Sequence, residues 1–121
     1  MPNPNYALGF LGRTVTVNVD RPLGTRHPEH WNIIYGVNYG HVNGVMAPDG
    51  EELDAYVLGV KEPLWKFTGD CIAVIRRLGE PDDKLVVVPP GSSISDEEIE
   101  ENVHFQERFF PHRIVRKRIR I

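Results

Sequence analysis

The chain has 121 residues, 40% hydrophobic and 26% charged, with a formal net charge of -3 at neutral pH. That length fits one compact domain over residues 1–121 and excludes a two-domain enzyme, while the apolar share excludes a disordered tail. Apolar runs such as Leu85 to Val88 and Ile72 to Ile75 fall far short of the ~20 residues that cross a bilayer, so no membrane partner is expected. Met1 to Tyr6 shows no basic segment followed by an apolar one, so no secretory leader is read and a cytoplasmic address is the expectation. Eleven glycines and ten prolines favour turns and short strands over long helices. The single cysteine, Cys71, lies inside an apolar run and reads as a small core hydrophobe.

In chain order, residues 13 to 19 (Arg-Thr-Val-Thr-Val-Asn-Val) alternate polar with β-branched side chains, the pattern of a strand with one buried face. Arg21-Pro22 ends it. Pro22 to Pro28 carries two prolines and Gly24 and reads as an irregular loop bearing Arg21, Arg26 and His27. Ile33 to Met46 mixes Tyr35, Tyr39, Val42 and Val45 with Gly36, Gly40 and Gly44, which predicts bent strands with glycine at sharp turns or close approaches. After the turn Ala47-Pro48-Asp49-Gly50, strands are predicted over Leu53 to Val60, Asp70 to Leu78 and Lys84 to Val88. Ser95 caps a helix over 95–109, with Glu98 placed to reach back to it and Ile99, Val103, Gln106 and Phe110 on one stripe. Asp96, Glu97 and Glu98 suit the positive end of its dipole. The basic stretch Arg113 to Arg120 alternates with Ile114, Val115 and Ile119, as in a solvated edge strand. These elements compose a mainly β domain, a small closed barrel of about five strands with one amphipathic helix near its carboxyl end.

Asp49, Glu51, Glu52 and Asp54 place four carboxylates within six residues. Their mutual repulsion invites a cation, and Mg²⁺, or Mn²⁺ in its place, takes one or two carboxylates with water and substrate phosphate. A second acidic patch, Glu80, Asp82 and Asp83, precedes Lys84. With Arg21, Arg26, Tyr35 and Tyr39 the chain holds the ingredients of a polyphosphate site, since cations neutralise phosphate oxygens and a phenol donates to them without changing net charge. No Gly-x-x-x-x-Gly-Lys loop, His-Glu-x-x-His pair or Gly-x-Ser-x-Gly elbow is present, which disfavours nucleotide-loop folds, zinc proteases and serine nucleophiles.

The order Tyr35-Gly36-Val37-Asn38-Tyr39-Gly40, Asp49-Gly50-Glu51-Glu52-Leu53-Asp54, Gly69-Asp70 and Asp82-Asp83-Lys84-Leu85-Val86-Val87-Val88-Pro89 resembles the family I soluble inorganic pyrophosphatases over about residues 35 to 110. Tyr39 and Asp49 keep the family's interval of ten residues. The resemblance implies a five-stranded barrel of the oligonucleotide-binding type, Mg²⁺ as cofactor, hydrolysis of pyrophosphate to two phosphates and a homo-oligomer. It also implies metal ligation by Asp49, Asp54 and Asp82, proton acceptance by Glu51, and phosphate contacts from Lys84 and Tyr39. Glu51 stands where the family has an aspartate, and Phe109 and Phe110 stand where it has a tyrosine and a lysine. Arg21 and Arg26 are the remaining candidates for phosphate. A related reading is a protein of this fold that binds or hydrolyses another phosphate compound. A reading from another class, a small barrel holding single-stranded nucleic acid on Arg113 to Arg120, is disfavoured by the net acidity.

Overall fold

The computed structural model describes residues 6–117. A single turn of 3-10 helix at Leu8–Phe10 leads into β1 (Thr14–Arg21), followed by β2 (Asn38–Met46), β3 (Glu52–Val57), β4 (Lys66–Arg77), β5 (Asp83–Val88), α1 (Asp96–Glu107) and β6 (His112–Arg116). Neighbouring strands run in the order β1-β2-β3-β5-β4-β6, and an additional pairing of β1 with β4 closes the first five into a barrel. The expected closed five-stranded barrel with one helix is therefore the observed fold. The edge strand expected near the carboxyl end is β6, paired along the second half of β4 through Val74 opposite Val115. Arg118, Ile119, Arg120 and Ile121 lie outside the described residues, as do Met1 to Asn5.

Alternation places two cores on the two faces of one sheet. Val15, Val17, Leu53, Ala55, Leu85 and Val87 fill the barrel, whereas Tyr35, Tyr56, Val86, Val88, Ile99 and Val103 pack between its outer wall and α1. β5 is buried along its whole length, which explains an unbroken apolar run where β1 alternates. Burying a side chain such as Leu53 or Leu85 completely stabilises the fold by about 1.5–3 kcal/mol. Two close approaches require glycine. A Cβ on Gly40 would stand 1.9 Å from the Asn18 carbonyl oxygen, and one on Gly69 would stand 2.2 Å from that of Val88.

The boundaries differ from the sequence pattern where long-range contacts intervene. The strand expected from Ile33 begins at Asn38, because Tyr35 bonds back to the preceding loop through Gly24 N–H and Thr25 C=O, both at 2.8 Å. Asn38, fully buried, accepts from Leu23 N–H and Leu64 N–H and donates to Glu62 C=O, so one amide side chain ties two loops to β2. The helix is capped as expected by Ser95, whose Oγ accepts from Glu98 N–H at 3.1 Å. Its buried stripe is Ile99, Val103, Gln106 and Glu107, so the last turn turns polar groups inward. Trp31, Trp65 and Phe109 are exposed.

Candidate functional site on the outer barrel wall

On the helix-covered face, β3 and β5 run parallel with Asp54 opposite Lys84, and Tyr39 on β2 pairs with Tyr56 on β3. Lys84 shares this face with Val86 and Val88 and is only 3% exposed. Its ammonium donates to Asp54 Oδ2 at 2.6 Å and to Asp82 Oδ1 at 2.7 Å. The other oxygen of Asp82 accepts from Arg77 at 2.9 Å, at the end of β4. Arg77 in turn forks onto Glu107 of α1, Nε to Oε1 at 3.0 Å and a terminal nitrogen to Oε2 at 2.9 Å. A two-bond ion pair of this kind fixes direction as well as charge. Burial works against the Arg77 charge, yet Glu107 and Asp82 outweigh it and raise the guanidinium pKa further.

From Glu107 a line of hydrogen bonds returns to the loop. Tyr56 donates its hydroxyl proton to Glu107, the Gln106 amide nitrogen donates to Tyr56, and Tyr35 donates to the Gln106 carbonyl, each at 2.7 Å. Arg21 donates to the Tyr35 hydroxyl at 2.5 Å. Every hydroxyl in this line donates once and accepts once, so the orientation of the Gln106 amide is determined by its neighbours. Burial pushes the Tyr39 phenol well above its usual range, and the adjacent Asp54 carboxylate adds to the shift, so Tyr39 remains a protonated donor.

These groups border a cavity of about 490 Å³. Its floor is formed by Arg21, Tyr39, Asp54, Arg77, Lys84 and Gln106, so three cations and one carboxylate face the space. The rim comes from the loop residues His27, His30, Asn32 and Ile33 and from Phe109 and Phe110 beyond α1. Phe110 covers the Arg77 guanidinium, with its ring centre 3.7 Å away. His27 Nδ1 accepts from the amides of Glu29 and His30 at 3.0 and 3.1 Å, which leaves the neutral ring proton on Nε2. Burial and the nearby Arg21 lower its pKa, in keeping with that neutral form.

Of the residues expected from sequence, Arg21, Tyr39, Asp54, Asp82 and Lys84 meet here, and Tyr35 supports Arg21 from behind. Arg26 stands apart: its guanidinium donates to the Trp31 carbonyl and lies over the Trp31 ring, outside the cavity lining. Asp49 and Glu51 are on an exposed turn, where Asp49 Oδ1 accepts from Glu51 N–H at 3.0 Å. Asp49 does share its surroundings with Asp82 and Asp83, since all three carboxylates act with burial to raise the Tyr6 phenol to about 12. Among the described residues no group of three or more His, Cys, Asp or Glu side chains is arranged to hold a metal ion. The donor set does not fit a resident Mg²⁺ ion. Asp54 and Asp82 are bridged by the Lys84 ammonium, and Asp82 is also paired with Arg77.

The sequence pattern places Gln106 on the helix stripe without a role at the site, and it does not point to Arg77 or Glu107. In the structure Gln106 and Glu107 continue the buried stripe of Ile99 and Val103 by one turn. Arg77 carries no signal, since a cation at a strand end is ordinary.

No protein-family model matches the sequence, and no curated protein sequence is significantly similar to it. Solved structures share its fold. An inorganic pyrophosphatase from Ehrlichia chaffeensis superposes with a TM-score of 0.63 at 15% identity, over 82% of this chain and 82% of that one. One from Neisseria gonorrhoeae gives 0.58 at 22% identity over 78% and 72%, and one from Thermus thermophilus gives 0.58 at 16% over 87% and 83%. At these identities the likeness is one of fold. The chain is thus a closed barrel of pyrophosphatase shape that carries a cationic, phenol-lined cavity on its outer wall.

Proposed function

We propose that the chain is a phosphoanhydride hydrolase, with inorganic pyrophosphate as its simplest substrate. The observation that carries this reading is the convergence of Arg21, Arg77, Lys84 and the Tyr39 phenol on one cavity floor around a single carboxylate, Asp54. The fold shared with pyrophosphatases supports it. Lys84 uses two ammonium protons on Asp54 and Asp82, and its third serves a phosphate oxygen. Arg77 and Arg21 neutralise further oxygens, and Tyr39 donates without adding charge.

In the reaction, the oxygen of a water bonds to one phosphorus, the bridging phosphorus–oxygen bond breaks, and its electron pair leaves on the second phosphate. The water proton passes to Asp54, the carboxylate lining the cavity, rather than to Glu51 on the exposed turn. Lys84 and Arg77 take up charge developing on the leaving oxygens, and fixed cations in a partly dry site act strongly because they need no reorganisation. Mg²⁺ or Mn²⁺ is assigned to the substrate, as its counter-ion in solution, and not to a resident site.

Phosphate release from pyrophosphate by the full chain, measured with Mg²⁺, with Mn²⁺ and with chelator, tests this. Turnover that falls in Lys84→Met supports the reading. Absence of release under all three conditions, from protein shown to be folded, overturns it.

A further inference from the structure

Resting on the phosphoanhydride reading, a closer description of the substrate follows from the upper part of the same cavity. Its volume of about 490 Å³ lies within the range of roughly 300–1,000 Å³ used by small organic ligands. Inorganic pyrophosphate would occupy only the floor between Arg21, Lys84 and Arg77. Above that floor the walls are flat rings. His27 and His30 stand with ring centres 4.8 Å apart, and His27 stacks in turn on Tyr35. Phe109 is 53% exposed and lines the opening with Phe110 beside it, while the Arg108 guanidinium lies over the Phe109 ring 4.7 Å from its centre and leaves part of the phenyl open. A half-exposed phenyl at a cavity mouth leaves apolar surface that a ligand can cover, and the imidazole and phenyl faces are suited to a planar ring. Asn32 adds an amide able both to donate and to accept at the edge of such a ring.

We propose that the preferred substrate is an organic phosphoanhydride carrying a flat heteroaromatic group, with a nucleoside diphosphate as the type compound. Its two phosphates rest on Arg21, Lys84 and Arg77, and its base lies against His30 and Phe109, with His27 backing His30. The bond broken is again the phosphoanhydride. Water oxygen attaches to the terminal phosphorus, the bridging electron pair leaves on the nucleoside monophosphate, and the proton passes to Asp54. The products are one nucleoside monophosphate and one inorganic phosphate.

The test compares kcat/KM for adenosine diphosphate, uridine diphosphate and inorganic pyrophosphate on the full chain, in the wild type, Phe109→Ala and His30→Ala. Both substituted side chains are exposed, and using two guards against misfolding of one. Direct binding of each compound is measured alongside. The expected result is a nucleotide preference of about tenfold or more, the scale of one stacked base, lowered through KM in at least one variant. Pyrophosphate hydrolysed as well as or better than both nucleotides overturns the inference and leaves the phosphoanhydride reading standing. A nucleotide preference that neither variant lowers also overturns it, since the rim would then not hold the base. Tight nucleotide binding without hydrolysis of any compound supports the ligand class and overturns the hydrolase. Neither binding nor hydrolysis overturns both.

Discussion

The guanidinium of Arg77 and the carboxylate of Glu107 are joined by two hydrogen bonds, at 3.0 and 2.9 Å, and the carboxylate is completely buried. Thirty positions of chain separate them, yet this pair joins β4 to the last turn of α1 directly beneath the cavity. It fixes the side of the site on which a cation stands. A buried ion is costly without its partner, so Glu107→Ala is expected to lower stability by about 3–5 kcal/mol. Glu107→Gln keeps the shape and part of the hydrogen bonding and should lose less. Denaturant midpoints of both variants check this. Equal losses would show that the charge of Glu107 does not matter.

Asp54 is expected to be the proton acceptor. Asp54→Asn should lower turnover by about 10²–10⁴-fold, the usual contribution of a positioned acid–base group. Glu51→Gln, on the exposed turn, should cost less. Steady-state rates for the two variants decide between them, and the reverse order would return the role to the turn.

Metal removal should leave the fold unchanged. A resident ion binding only the folded state would stabilise it by mass action, but Lys84 already neutralises Asp54 and Asp82. Thermal midpoints with Mg²⁺ and with chelator are expected to coincide. A clear rise of the midpoint with saturating Mg²⁺, absent in Asp82→Asn, would reveal a resident site.

His112 gives the fold a pH dependence. Burial opposes its charge, but the Phe110 carbonyl at 2.7 Å and the Glu100 carboxylate at 3.0 Å outweigh it and raise the pKa above 6.5. The folded state therefore binds the proton more tightly than the unfolded chain does. The stabilisation is fully present below pH 6.5 and is lost as pH rises through the higher folded value. Since Glu100 is 45% exposed, the contribution is about 1 kcal/mol at most. The wild type should exceed His112→Gln in urea midpoint under mildly acidic conditions, with the gap closing under alkaline ones. A gap that widens with pH would contradict the assignment.

Cys71 should be inert in the folded protein. It is fully buried, and burial pushes its thiol up to about 11, so little thiolate exists at neutral pH. Reaction with a thiol reagent should follow global unfolding, and rapid labelling of native protein would show that the strand opens locally.

Local pattern was enough for most elements. The alternation of Val15, Val17 and Val19 marks β1, the unbroken run from Leu85 to Val88 marks a strand buried on both faces, and Ser95 marks the first turn of α1. Glycine positions could be read as sharp turns or close approaches, and Gly40 proves to be a close approach. The start of β2 was not legible, because Tyr35 is held by Gly24 and Thr25 in a loop whose conformation no periodicity encodes. For the site, acids, cations and phenols are recognisable in the sequence as types, whereas nearness in sequence does not reveal that Asp54 lines the cavity while Asp49 and Glu51 stand on an exposed turn. Nothing local marks Glu107, because a glutamate near a helix end is most often solvated.

By itself the sequence determined the strands, the helix and the faces that must be buried, because side-chain alternation and capping act within a few residues. Tertiary structure alone decided which charges meet. Parallel pairing of β3 with β5 sets Asp54 opposite Lys84, and the packing of α1 delivers Glu107 to Arg77. The physical reason is range: a strand's pattern fixes which way a side chain points, while the charge it faces depends on the register of a neighbour many residues away.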